Sequence, residues 1–289
     1  MFDLAREALV STDWLAGQLG KVKVVDASAP LPGSGRDVKA EFRDRHIPGA
    51  VHFEIDEIAD RSTGLPHMLP PAEIFAEAVG RLGIGNKDVV IVYDNQGMAL
   101  AAARVWWTFR MFGHQQVAVL DGGLPKWMAE DRPMESGEAS PVSAEFQAKP
   151  RPEMVRSLDQ VRKISQDGAE QLVDARATGR FTGNEPEIWP GRRAGHIPGS
   201  LNLPWGDLVD PEQKTFRSPE AVARAFAEAG VDLNKPVVAT CGSGVTAAVL
   251  ALGLHRIGRQ DAPIYDGSWA EWGLPEGPPA ETGPARRRS

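Results

Sequence analysis

Cys241 is the only cysteine in the sequence, and its neighbours are those a reactive thiol needs. Before it runs Val237-Val238-Ala239-Thr240, which reads as a buried strand. After it come Gly242-Ser243-Gly244-Val245-Thr246 and then the helix-forming run Ala247-Ala248-Val249-Leu250-Ala251-Leu252. A strand, a glycine loop and a helix put the thiol where backbone N–H groups and the positive end of a helix dipole meet. Such surroundings favour the thiolate, the nucleophilic form. They would also stabilise a charged sulfur atom as an oxyanion hole stabilises oxygen. The competing reading is a small buried apolar side chain, because free cysteine is among the most buried residue types. The two glycines, which let backbone approach a ligand closely, weigh against it. The hydroxyls of Ser243 and Thr246 could add donors; Thr246 could equally cap the helix.

The elements that position this loop occur twice. Val24-Val25-Asp26-Ala27-Ser28 returns as Leu172-Val173-Asp174-Ala175-Arg176, and His46-Ile47-Pro48-Gly49 as His196-Ile197-Pro198-Gly199. A helix from about Pro71 to Leu82 is matched by one from Ser218, a natural N-cap with proline at the first helical position. Val89–Asp94 matches Pro236–Cys241, and Asp121-Gly122-Gly123 matches Asp266-Gly267-Ser268. Five landmarks in the same order, about 145–150 residues apart, describe a duplicated domain, since a solenoid repeat is far shorter. Each copy alternates short apolar strands with helical segments, the pattern of an α/β domain on a mainly parallel sheet. The chain therefore divides into residues 1–135, a turn-rich linker at 136–152, and 153–289. In the first copy Asp94 falls opposite Cys241, and a carboxylate there cannot act as a sulfur nucleophile. That copy is expected to be catalytically silent, and the Gly- and Pro-rich tail from Glu276 is expected to be a mobile end.

At 289 residues the chain is long enough for two such domains, and 25% charged with 42% hydrophobic residues is a globular composition. A net charge of −7 argues against nucleic acid as a partner. One cysteine excludes an internal disulfide. No signal-peptide pattern and no run of 18 apolar residues is present, so the expectation is a cytoplasmic protein without a membrane span. One cysteine and six scattered histidines show no metal-ligand spacing, so neither metal nor organic cofactor is expected.

Cys241-Gly242-Ser243-Gly244-Val245-Thr246 resembles the active-site loop of the 3-mercaptopyruvate sulfurtransferase branch of the tandem rhodanese family. The thiosulfate-specific branch usually carries Arg-Lys-Gly after the cysteine. The resemblance covers roughly Leu15 to Gly273 and implies two tandem rhodanese-like domains, a persulfide on Cys241 and, by family habit, a monomer. It implies 3-mercaptopyruvate or thiosulfate as donor, and thioredoxin, a small thiol or cyanide as acceptor. Related phosphatases carry an arginine six residues after the cysteine, where this chain has Ala247.

By the same resemblance Gly179-Arg180-Phe181 supplies a substrate-binding arginine, suited to a planar carboxylate by its two parallel donors. The family usually places a second arginine nine residues later, and this chain has Trp189 there. Arg192 and Arg193 follow closely; they either reach the same carboxylate or lie on the surface, in which case one clamp is lost. Gly242, Gly244, Val245 and Thr246 complete the expected substrate loop beside Ser243. Asp56 and His67 resemble family residues that handle the proton, the carboxylate holding the imidazole in its useful tautomer. The residues alone leave His67 as a loop residue. His46 and His196 recur in the silent copy, so they are read as structural, and so is the Arg104-Val105-Trp106-Trp107 run. Within the same chemistry a thiosulfate:cyanide sulfurtransferase is the alternative; outside it, a persulfide carrier with slow turnover.

Overall fold

Alternation of short apolar strands with helices produces two five-stranded parallel sheets. The structure, a computed structural model, describes residues 4–30 and 33–285; the arginine triplet at 286–288 lies outside the described residues. Two compact units form. The first comprises Met1–Asp60, Leu69–Arg151 and Val209–Phe216, the second Arg61–Met68, Pro152–Leu208 and Arg217–Ser289.

In the first unit the strands are β1 (Leu9–Val10), β2 (Lys23–Asp26), β3 (Ala50–His52), β4 (Val90–Tyr93) and β5 (Val117–Leu120), ordered β1-β5-β4-β2-β3. The second repeats this with β6 (Val155–Arg156), β7 (Gln171–Asp174), β8 (Leu201–Asn202), β9 (Val237–Thr240) and β10 (Ile264–Tyr265), ordered β6-β10-β9-β7-β8. Every strand pair is parallel. β4, β5 and β9 are buried along their whole length, which explains why they read as unbroken apolar runs rather than alternating ones. In both units the chain steps to one side after the second strand and to the other after the third. That reversal leaves a crevice at the carboxyl ends of β7 and β9, where open α/β sheets bind ligands. Cys241 follows β9 directly.

The expected helices form. Ala72–Arg81 starts behind Pro71, and Pro219–Glu228 is capped by Ser218, whose hydroxyl accepts from the Ala221 N–H at 3.3 Å. Leu100–Met111 is buried at every position, as the structural reading of Arg104–Trp107 expects. Arg104 and Arg110 lie over the rings of Trp107 and Trp106, which shelters their charge without a surface.

Two stretches expected to be loose are docked. The turn-rich 136–151 belongs to the first unit: the N–H groups of Gly137, Ala144 and Lys149 donate to the carbonyls of Arg43, Gly80 and Phe112. Phe146 is buried against Phe75 and Phe109. Gly80 permits the approach, since a Cβ there would stand 2.6 Å from the Ala144 carbonyl oxygen. The tail is held likewise, with Glu281 bridged to His196 and the Gly283 N–H donating to Thr182. A lack of periodicity signals a lack of helix or strand, and says nothing about docking.

Both His-Ile-Pro-Gly histidines are structural. Nδ1–H of His46 donates to the Phe42 carbonyl at 2.7 Å, and that of His196 to Phe181 at 2.9 Å; each ring stacks on the same phenylalanine. These stacks align Phe42 with Phe181, and therefore Glu41 with Arg180.

Candidate active site

The loop after β9 is held in place from behind. The Cys241 N–H donates to Ser268 Oγ at 3.1 Å, and Ser268 Oγ–H donates to the Tyr265 carbonyl at 2.7 Å. The carbonyls of Cys241 and Gly242 accept from the N–H groups of Trp269 and Ala270 at 2.9 and 2.8 Å. Ser268 pays for this with φ = +49°, a region few non-glycine residues occupy. Its counterpart Gly123 has φ = +51° and no hydroxyl. Ser268 is a site residue that motif reading passed over; a serine replacing glycine at the same step of the repeat was the available signal.

Cys241 is 1% exposed and lies one residue beyond the strand, six before the helix Ala247–Arg256. Gly244 turns the chain between them with φ = +80°. A left-handed residue is one of the two conformations from which backbone N–H nests for anions are built. Ser243 is buried in the loop, while Val245 and Thr246 are partly exposed. Thr246 occupies the N-cap position but makes no side-chain capping bond, so the capping reading of its hydroxyl is not observed.

β7 supplies the floor. Asp174 and Arg176 are both fully buried, and Arg176 donates to the Asp174 carboxylate from Nε and Nη2 at 3.0 and 2.7 Å, to Glu187 Oε1 from Nη1 at 2.5 Å, and to the Gly195 carbonyl. Its guanidinium lies 4.4 Å from the centroid of the Trp269 ring. Desolvation opposes the Arg176 charge, yet the two carboxylates outweigh it and raise its basicity. Burial pushes the Glu187 carboxyl up, against the pull of Arg176 and Arg180. Removing one partner from such a buried set costs about 3–5 kcal/mol, because the remaining charge is stranded.

Arg180, on the short helix Thr178–Thr182, brings the cation to the loop. A Cβ on Gly242 would stand 3.8 Å from Arg180 Nη1 and 3.4 Å from Trp189 Nε1. Glycine after the cysteine therefore keeps both groups against the loop backbone. Arg180 is 19% exposed and 4.0 Å from Glu187 Oε2, so a carboxylate orients it without closing it off.

The other expected residues divide. His67 belongs to the second unit and meets Trp189 edge-on, ring centroids 5.7 Å apart, so the structure brings it beside the loop. Its φ of +58° is one few non-glycine residues adopt. Asp56 lies on the helix Ile55–Ile58 of the first unit. Arg193 straps the chain: its Nη2 donates to the carbonyls of Trp272 and Pro278 at 2.8 and 2.6 Å, while its buried Nε has no hydrogen-bond partner. Arg192 is likewise engaged, with Nε on the Ala270 carbonyl and Nη1 on that of Pro190, both at 2.9 Å. Proximity in sequence suggested a clamp; the unpaired carbonyls at the ends of short helical turns took the donors first. Among the described residues no group of three or more His, Cys, Asp or Glu side chains could hold a metal ion, and no helix is long and apolar enough to cross a membrane.

A rhodanese-like domain matches residues 11–130 and again 157–274. The chain belongs to the rhodanese family. Among its relatives, human 3-mercaptopyruvate sulfurtransferase is 47% identical over 92% of this chain and 91% of its own. The 3-mercaptopyruvate sulfurtransferase of Escherichia coli K12 is 41% identical over 94% and 97%, and the thiosulfate sulfurtransferase of Cricetulus griseus 42% over 92% and 91%. The crystal structure of the Escherichia coli 3-mercaptopyruvate sulfotransferase SseA superimposes with a TM-score of 0.83 at 38% identity, covering 91% of this chain and 99% of that one. Cys241 and its loop thus lie in the second of two rhodanese domains, and Asp94 holds the corresponding place in the first.

Proposed function

We propose that this rhodanese moves sulfane sulfur from 3-mercaptopyruvate to a thiol or cyanide acceptor through a persulfide on Cys241. The observation that carries the reading is a single nucleophilic thiol in a glycine loop with no charged side chain, beside the guanidinium of Arg180. Names of relatives as much as 47% identical over nearly the whole chain support it. In the first step the Cys241 thiolate forms a bond to the donor sulfur as the donor's carbon–sulfur bond breaks. The electron pair stays on carbon, giving the pyruvate enolate, and the proton of the donor thiol ends on that carbon. Pyruvate leaves, and the outer persulfide sulfur rests against the loop N–H groups. In the second step the acceptor attacks that sulfur and the Cys241 thiolate is restored.

Arg180 holds the donor carboxylate, and His67 carries the proton between sulfur and carbon. Thioredoxin, a small thiol or cyanide takes the sulfur. A thiosulfate donor is the second reading, favoured by the 42% identity to a thiosulfate sulfurtransferase. The neutral Gly242-Ser243 loop speaks against it, since thiosulfate brings two negative charges.

Intact-protein mass spectrometry after brief exposure to either donor tests the proposal. One added sulfur and released pyruvate with 3-mercaptopyruvate, absent in Cys241→Ser, is expected. Faster loading from thiosulfate would transfer the assignment to the second reading, and no loading from either would end both.

A further inference from the structure

Trp189 stands against the nucleophile loop with its one polar atom unused. Its indole Nε1 is buried and has no hydrogen-bond partner, although a buried indole N–H usually finds one. That atom is 3.4 Å from the position of a Cβ on Gly242, on the same side from which Arg180 Nη1 approaches at 3.8 Å. The His67 ring meets the indole edge-on, with centroids 5.7 Å apart. An N–H held beside a cation, a glycine backbone and a nucleophilic loop, and left without an acceptor, is a site waiting for a ligand oxygen.

The nearby cations do not change this count. Arg176 is bound to two carboxylates, and the Arg192 donors and Arg193 Nη2 described above rest on backbone carbonyls. Arg192 and Arg193 are partly exposed as well, so what sets Arg180 apart is that its Nη1 comes within 3.8 Å of a Cβ on Gly242, with Glu187 4.0 Å from it. At Gly242 the loop therefore meets one guanidinium and one neutral N–H donor, a set matched to one carboxylate and an adjoining neutral oxygen. A compact dianion would need a second cation.

We propose that Trp189 determines donor specificity: its Nε1–H donates to an oxygen of an α-keto carboxylate held by Arg180, which selects mono-anionic α-keto thiols over dianionic inorganic donors. This rests on the sulfur-transfer reading above and names the substrate class of that same site.

Two measurements test it. In Cys241→Ser protein, the 15N–1H indole resonance that disappears on Trp189→Phe should move downfield when pyruvate saturates the site; a resonance that stays in place overturns the proposal, whatever the turnover. In steady state with both donors, Trp189→Phe should raise KM for 3-mercaptopyruvate about tenfold, the loss of one hydrogen bond to a charged or polarised oxygen, with kcat within about twofold. Trp189→Arg should shift the ratio of kcat/KM toward thiosulfate by about tenfold or more. Unchanged KM in Trp189→Phe, with normal loading by the parent protein, removes Trp189 and leaves the sulfurtransferase reading intact. A parent protein that loads from neither donor but still shows the indole shift keeps the pocket and removes the reaction.

Discussion

The loops after β4 and β9 share a backbone and differ in what fills them. Gly97 and Gly244 both take φ = +80°, and the Leu124 N–H reaches the Asp94 carbonyl as the Trp269 N–H reaches that of Cys241. In the first unit the Asp94 carboxylate folds back and accepts from the N–H groups of Gln96, Gly97 and Ala102 at 3.1, 2.8 and 3.1 Å. Burial still pushes that carboxyl up, so the three donors only partly offset the desolvation. The first loop's N–H groups are occupied by its own carboxyl group. Around it the side chains differ as well, since acidic Glu41 stands where the second unit has Arg180, and neutral Ser28 where it has Arg176. The comparison teaches that the shared fold provides the same glycine loop twice, and that a few side chains decide what its N–H groups meet.

The largest expected effect concerns the nucleophile. Cys241→Ser should lower sulfur transfer by roughly a thousandfold or more, measured by pyruvate release. Placing the thiol in the other loop, as Asp94→Cys in the Cys241→Ser background, should restore nothing; persulfide formation at residue 94 would break the comparison. Next comes the buried guanidinium. Arg176→Ala should cost about 3–5 kcal/mol of stability in the denaturant midpoint by stranding two buried carboxylates, against about 1 kcal/mol for Ser28→Ala at the matching position. Equal losses would show that the two floors are built alike.

Arg180→Ala should raise KM for 3-mercaptopyruvate by about 1.5–3 kcal/mol, the range for a charged hydrogen bond, while Glu41→Ala should leave KM unchanged. The smallest effect is a pH slope. Burial lowers the basicity of His196 in the second unit and of His114 in the first, each from an ordinary value of 6.5. Below that value the unfolded chain binds protons that the folded units resist. The stability these groups contribute is thus present above 6.5 and lost as pH falls toward their lower folded values. Urea midpoints followed from pH 8 to pH 5 should decline, and His196→Gln should flatten only part of the slope, His114 supplying the rest.

Much of this was legible in the residues. The repeat announced two mainly parallel sheets, because buried parallel strands leave unbroken apolar runs, while the order of the strands came only with the coordinates. Loop composition and family resemblance singled out Cys241 and Arg180, and the coordinates set the Arg180 guanidinium against the loop at Gly242. The docking of 136–151 and of the tail was not legible, since backbone bonds to distant carbonyls leave no periodic trace. Nor were the engagements of Arg192 and Arg193, which depend on where helix ends at Trp272 and Ala270 present their carbonyls. Ser268 was quoted as a repeat landmark, but its hold on the Cys241 N–H required coordinates.

Residues 61–68 and 209–216, equivalent positions of the two copies, are each counted with the unit whose other segments come from the opposite half of the chain. The consequence is genetic. A fragment ending at Arg151 lacks Val209–Phe216, and one beginning at Pro152 lacks Arg61–Met68 and, with it, His67. No single cut yields two complete units, and a gene split between the two halves at residue 151 would part the cysteine from the histidine beside its loop.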